Sequence, residues 1–365
     1  MSNLLELRDV SQVFGNPDKG GTVAVDHLTY SISADQPSFT AVVGESGSGK
    51  TTIARLLLGF QAPTSGQVLF RGEDLAHASR QVHQQFRREV QAVFQDPFEV
   101  YNPFYKVDHL LEVPIRKFKL ASSRQETRKL MEEAVSRVGL RPEETLGRYP
   151  HQLSGGQRQR ITVARAILLK PRLIVADEPV SMVDASLRAT ILQTLRALNE
   201  ELGISFVYIT HDLTTAYQVS DNILVLYRGR MAEVGDVEAV IKRPQHPYTQ
   251  LLVGSIPLPD PNRRWGENVV SGTPDESQTS RQGCLFAARC PHVMDRCRQE
   301  VPPLYRTDPH RADACFLAPM SANSELPVVE GDVTGVFRPA ERLLGAPGAT
   351  DIARDDQLIA GTSVR

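Results

Sequence analysis

The sequence predicts an α/β fold built around a largely parallel sheet. Three observations carry that expectation. Short apolar runs recur along the chain: FTAVV at 39–43, LIVA at 173–176, SFVYI at 205–209 and ILVLY at 223–227. Helical segments separate runs of this kind, and strand–helix alternation builds parallel sheets because each crossover returns the chain to the same end of the sheet. The first run leads into a glycine-rich turn that opens a helix-like segment, the setting of a phosphate-binding loop.

The elements follow in order. Residues 4–14, LLELRDVSQVF, alternate apolar and polar, the period of a half-buried strand. GNPDKGG reads as a loop, FTAVV as a buried strand, TTIARLLLGF as a helix and QVLF at 67–70 as a return to strand. Residues 106–140 read as mainly helical. In RQETRKLMEEAVSRVGL, Leu130, Ala134, Val135 and Val138 share one face, and Gly139 stands near the end. Beyond about residue 250, Pro, Gly and Ser dominate PLPDPNRRW and SGTPDESQTS, the composition of a linker or loosely packed arm. From about 319 the chain is poor in aromatics and shows no clear period, so the tail is expected to be partly disordered.

Composition bounds the function. A chain of 365 residues suggests about two domains. Lys plus Arg is 41 and Asp plus Glu is 43, a formal charge of −2, without the basic excess of a dedicated nucleic-acid binder. No run of about 18 apolar residues reads as a membrane span. MSNLLELRDV lacks the basic-then-apolar pattern of a signal peptide, so a reducing compartment is expected. There the cysteines stand out. Cys284, Cys290, Cys297 and Cys315 fall within 32 residues, and the preceding 283 residues hold none. A four-thiolate metal or cluster site explains that clustering better than two disulfides.

Three motifs carry chemistry. Gly44-Glu45-Ser46-Gly47-Ser48-Gly49-Lys50-Thr51 matches G-x-x-x-x-G-K-[ST] between a strand and a helix. Its glycines let backbone N–H groups converge on phosphate oxygens, and the helix dipole adds to the pull. Lys50 is positioned to reach the β- and γ-phosphates, and the Thr51 hydroxyl to ligate Mg²⁺. Asp177 and Glu178 end the apolar run LIVA, where two carboxylates are costly unless used. Asp177 suits a Mg²⁺ partner, and Glu178 a group that polarises the attacking water. Leu153-Ser154-Gly155-Gly156-Gln157 places a serine N-cap and two glycines at the start of a second helix, another anion site.

Together these motifs resemble the ATP-binding-cassette (ABC) ATPases over about residues 4–250. The resemblance implies a P-loop NTPase cassette with a mostly parallel sheet core, an antiparallel β subdomain and a helical subdomain at about 96–152. A small C-terminal cysteine-rich module follows. The ATP site would comprise Phe14, stacked on adenine, with Gly44, Glu45, Ser46, Gly47, Ser48, Gly49, Lys50, Thr51 and Thr52. Glu178, His211 and Gln95 would be catalytic, and Thr51, Gln95 and Asp177 would hold Mg²⁺. The signature Leu153–Gln157 would close over the ATP of a second subunit in a head-to-tail dimer, with Ser181 and Asp184 in the interface loop. That loop reads SMVD where the family commonly has SALD.

His246-Pro247-Tyr248-Thr249 and the cysteine block are similar to the C-terminal extension of the dipeptide, oligopeptide and nickel importer ATPases, here about 251–318, with the tail at 319–365. In that family the four cysteines are taken to hold an iron–sulfur cluster of the 4Fe–4S type, which the resemblance implies here. The residues alone, spaced C-x5-C-x6-C-x17-C, also allow tetrahedral zinc or reduced structural thiols. The implied machine is a membrane importer of di- or oligopeptides, with nickel or oligosaccharide as alternative cargo. Its other parts would be a second ATPase subunit, identical or related, and two transmembrane permease subunits. A solute-binding protein would act on the far side, and the chain would lie peripherally on the cytoplasmic face. A soluble cassette acting on DNA or ribosomes is the distant alternative.

Overall fold

The computed structural model describes residues 2–15, 21–96, 100–256, 281–322 and 326–338. Strands β1 (Asn3–Phe14) and β2 (Thr22–Ser33) pair antiparallel. β3 (Phe39–Val43) leaves for a central sheet and feeds helix α1 (Lys50–Leu57). The chain returns as β4 (Ser65–Phe70) and β5 (Glu73–Asp74), completing a four-stranded antiparallel sheet in the order β2-β1-β4-β5. β2 carries no clean alternation in sequence. Register shifts against β1 and the positive φ of His27 (52°) break its period, so Val25 lies buried out of phase with Leu28, Tyr30 and Ile32.

α2 (Arg80–Glu89) and β6 (Val90–Val93) lead into a helical region: α3 (Asp108–Lys117), α4 (Arg124–Arg137), α5 (Pro142–Thr145) and α6 (Gly155–Ile167). β7 (Leu173–Asp177), α7 (Ala185–Leu202), β8 (Ser205–Ile209), α8 (Leu213–Val219) and β9 (Asn222–Tyr227) then alternate. In the eight-stranded central sheet the run β9-β3-β8-β7-β6 is parallel. β3, β8 and β9 are buried along their whole length, as strands covered on both faces must be.

The rest of that sheet is antiparallel. β10 (Arg230–Asp236) pairs with β9 through a turn in which Arg228 and Gly229 both have positive φ (48° and 87°), the geometry that matches strand twist in tight hairpins. α9 (Val237–Lys242) and α10 (Pro247–Gly254) follow. After α11 (Asp295–Gln299), β11 (Tyr305–Asp308) and β12 (Arg311–Asp313) extend the same sheet, with β12 paired to β10, and α12 (Leu317–Ala322) closes the segment. The boundary expected at residue 250 thus falls inside α10, and the cysteine segment continues the central sheet. Glu233 and Asp313, both buried, face each other across β10 and β12. Burial pushes both carboxyls well above their ordinary range, and the charge of Glu233 adds to the rise at Asp313.

Residues 326–338, within the tail expected to be partly disordered, carry a short 3₁₀ turn, Val333–Val336, that returns to β2. Asp332 accepts hydrogen bonds from the Ser31 backbone N–H and hydroxyl, and Val333 and Val336 are buried in the core beneath the antiparallel sheet. The linker stretches at 257–280 and the tail at 339–365 lie outside the described residues. Among the described residues no helix is long and apolar enough to cross a membrane.

Candidate active site

The site lies at the carboxyl ends of β3, β8 and β7, which are adjacent and parallel, so each strand delivers its following loop to one crevice. From β3 comes the loop Gly44–Gly49. Side chains are excluded at its two ends. A Cβ on Gly44 would stand 2.3 Å from the Leu226 carbonyl oxygen, and one on Gly49 2.2 Å from that of Ala24. Both glycines have positive φ. Lys50 opens α1 and is buried, and its Nζ donates to the carbonyls of Gly44 and Glu45, each at 2.8 Å. Ser48 is buried beneath the loop, whereas Ser46, Gly47 and Thr51 are exposed and Thr52 is half-buried.

β7 delivers Asp177 and Glu178. Burial, then the charge of Glu178, push Asp177 up to about 6, against the pull of Lys50 and Arg55. The same burial lowers Lys50, against the pull of Glu178, Asp177 and Glu45. Glu178 holds a positive φ of 46°, fixed by its N–H donating to the Ile209 carbonyl at 2.8 Å. That strained turn swings its carboxylate to His211, whose Nδ1 lies 2.9 Å from Glu178 Oε1. The histidine leaves β8 and is exposed. A carboxylate and an imidazole in contact at the mouth of a phosphate-binding loop can accept a proton from water and orient it. Carboxylates together with the Thr51 hydroxyl are hard oxygen donors, the chemistry Mg²⁺ takes.

The remaining expected residues fall in three places. Gln95 follows β6, whose Val93 is level with Ala176 of β7, so it stands exposed on the flank of the crevice. Phe14 ends β1 opposite Thr22, two residues before the Ala24 that presses on Gly49, and is 41% exposed. The signature lies at the start of α6. Ser154 caps α6 in a reciprocal box: its Oγ accepts from the Gln157 N–H (3.2 Å), and Gln157 Oε1 accepts from the Ser154 N–H (2.9 Å). A Cβ on Gly156 would meet Leu187 at 2.8 Å, and one on Gly155 would lie near the Met182 carbonyl, so the signature neighbours the loop carrying Ser181 and Asp184. Ser181 Oγ donates to the Glu178 carbonyl (3.0 Å), tying that loop to the crevice, and Asp184 is exposed before α7. Leu153 is buried beneath the signature.

All four cysteines line one recess, with His246, His292 and Phe286. Burial pushes Cys315 up to about 12 and raises Cys284 and Cys290. Among the described residues, however, no three His, Cys, Asp or Glu side chains are grouped so as to hold a metal ion. The expected four-thiolate site is therefore not assembled as a cage. The cysteines share the wall of that recess with apolar neighbours, Phe286, Phe316 and Leu317 among them.

Comparison with known proteins follows this geometry. Residues 26–181 match the ABC transporter family, and residues 232–297 match the oligopeptide/dipeptide transporter C-terminal region. A probable peptide ABC transporter ATP-binding protein of Sinorhizobium fredii is 41% identical over 300 residues, covering 82% of this chain and 84% of the relative. The chain belongs to the ABC transporter family. An oligopeptide transport ATP-binding protein of Bacillus subtilis shares 36% identity over 326 residues, 86% of this chain and 97% of the relative. A part of an ABC transporter complex from Clostridium perfringens superposes with a TM-score of 0.58 at 26% identity, covering 67% of this chain and 92% of that one. A dimeric ATP-binding cassette in a post-hydrolysis state with ADP and phosphate gives 0.56 at 28%, covering 64% and 98%. This ABC subunit is an ATPase with the cassette fold, and the crevice is its candidate active site. Two residues outside the cassette motifs also touch that site: Tyr248, from the His246–Thr249 segment, and Arg289, both bonded to Glu45. Their positions far along the chain gave no spacing signal.

Proposed function

We propose that this ABC ATPase energises a membrane importer of di- or oligopeptides. The observation that carries the reading is the joining, in one chain, of the cassette crevice to residues 232–297, from β10 into α11, which match the oligopeptide/dipeptide transporter C-terminal region. Relatives named for peptide, oligopeptide and di/tripeptide transport support it. In this reading the loop Gly44–Thr52 binds the phosphates, Phe14 stacks on adenine and Lys50 turns from its two carbonyls to the β- and γ-phosphates. Thr51, Gln95 and Asp177 would hold Mg²⁺, which would supply positive charge to the phosphates. Glu178, oriented by its strained turn, polarises the attacking water, and His211 carries the signal of the γ-phosphate. The signature Leu153–Gln157 closes on the ATP of a second subunit, with Ser181 and Asp184 at that interface. Two permease subunits and a solute-binding protein complete the importer, and this chain sits peripherally on the cytoplasmic face.

The test is ATPase activity of the membrane complex isolated through a tag on this chain, with solute-binding protein present. Di- or oligopeptides should stimulate hydrolysis; stimulation by nickel or an oligosaccharide instead overturns the cargo.

We also propose that the recess of Cys284, Cys290, Cys297 and Cys315 takes a 4Fe–4S cluster. Its support is the shared recess and the resemblance of the cysteine block. In a cluster each cysteine binds its own iron, so the four sulfurs need not meet at one point as around zinc. Anaerobically purified protein should be brown, absorb near ~400 nm and contain about four irons per chain. A colourless protein with one zinc contradicts this.

A further inference from the structure

The loop that binds phosphate is held from outside the cassette motifs. Glu45 is its first residue after Gly44. Its backbone N–H donates to Tyr248 Oη at 2.8 Å, so this amide is fixed on α10 instead of being free to turn. Its carboxylate accepts both arms of the Arg289 guanidinium, Nη1 to Oε2 at 2.8 Å and Nη2 to Oε1 at 2.9 Å. Its carbonyl, with that of Gly44, holds Lys50. One residue thus links the C-terminal segment to the lysine of the ATP site.

Arg289 is itself well seated. Its guanidinium lies 5.4 Å from the Phe286 ring centroid and 5.8 Å from that of Tyr227. Tyr227, Tyr248 and Phe286 pack together with centroids 4.6–5.6 Å apart. The pairing with Glu45 holds Arg289 firmly in its charged form. Residues 284–290 form consecutive turns, with the N–H of Ala287 bonded to the Cys284 carbonyl, Arg289 to Phe286 and Cys290 to Ala287. Arg289 is therefore placed by the backbone that also places Cys284 and Cys290.

We infer that Arg289 and Tyr248 are positioning residues of the ATP site, and that the cysteine segment sets nucleotide affinity by clamping the phosphate-binding loop through Glu45. The bidentate Arg289–Glu45 pair fixes direction as well as contact, which a single charge would not. Releasing the clamp frees the Gly44–Glu45 peptides that orient Lys50. The loss then falls on ATP binding, in ground state and transition state alike, and leaves the Glu178 step in place.

The test uses the purified full chain. Arg289→Ala should raise the Kd for MgATP about tenfold, within the usual span of coupling between sites. KM for ATP should rise with it while kcat stays within about twofold, the pattern of lost uniform binding. Arg289→Lys should recover part of the affinity. The double variant Glu45→Ala/Arg289→Ala should be no weaker than either single variant, because one interaction is lost only once. Wild-type affinity in Arg289→Ala, additive losses in the double variant, or a fall in kcat with KM unchanged overturns the clamp. If Arg289→Ala does not fold, Tyr248→Phe, which keeps the ring in the core but removes the oxygen that accepts from the Glu45 N–H, should raise Kd and KM for ATP with kcat within about twofold, and wild-type affinity there overturns the clamp. The inference rests on ATP binding at this loop, and Lys50→Ala separates the two. Binding lost there but unchanged in the clamp variants removes the clamp and leaves the ATP site standing.

Discussion

Glu178→Gln is expected to bind MgATP with wild-type affinity and to lose nearly all turnover. The substitution keeps the shape of the side chain and its contact with His211, 2.9 Å away, but removes the negative oxygen that draws a proton from water. General-base contributions of this kind are worth about a thousandfold in rate. The turn should survive, because the positive φ at 178 is held by the backbone bond to Ile209 and not by the carboxylate. Steady-state phosphate release measured beside fluorescent-nucleotide binding separates the two effects. Normal turnover would remove Glu178 from its proposed role and leave Asp177, already burdened by burial, as the carboxylate to examine.

The second large effect is on binding. Lys50→Ala should weaken MgATP by about 2 to 3 kcal/mol, the scale of losing a charge-assisted hydrogen bond to phosphate. The buried ammonium does two jobs in the nucleotide-free loop. It ties the Gly44 and Glu45 carbonyls together, and it offsets the crowded carboxylates Asp177 and Glu178. Its removal therefore loosens the loop as well as deleting the phosphate contact. Titration of the variant with MgATP reads this directly, and unchanged affinity would contradict the assignment of the loop.

The crevice was legible in sequence where chemistry forces residue identity at fixed spacing. Gly44 and Gly49 admit no Cβ, because the Leu226 and Ala24 carbonyls lie against them, so that part of the motif is written by sterics. The Glu178–His211 contact was legible only as two separate stations, since they stand 33 positions apart in the chain. The clamp on Glu45 was not legible at all. Its partners stand 203 and 244 residues away, and the proximity exists only because β9, α10 and the cysteine segment meet at the end of β3. Among strands, the short buried ones announced themselves by continuous apolar runs. β2 did not, because its bulged register hides the alternation. The return of Val333–Val336 to β2 was hidden for a related reason: two buried valines and one capping aspartate make too short a pattern to show a period.

The cysteines show the opposite balance. Their clustering in sequence pointed to a metal, while the folded chain gathers them around one recess without forming an ion cage. What the fold adds is an address. Their backbone carries Arg289 onto the phosphate-binding loop, which joins the two halves that composition suggested were separate.

The most direct measurement of what this ATPase does is uptake into sealed vesicles. The membrane complex, isolated through this chain and rebuilt with MgATP enclosed, is given solute-binding protein and a labelled oligopeptide from outside. Peptide should accumulate inside with wild-type chain and fail to accumulate with Glu178→Gln. Uptake undiminished by that substitution, or steady hydrolysis that moves no peptide, would contradict a peptide importer driven from this site.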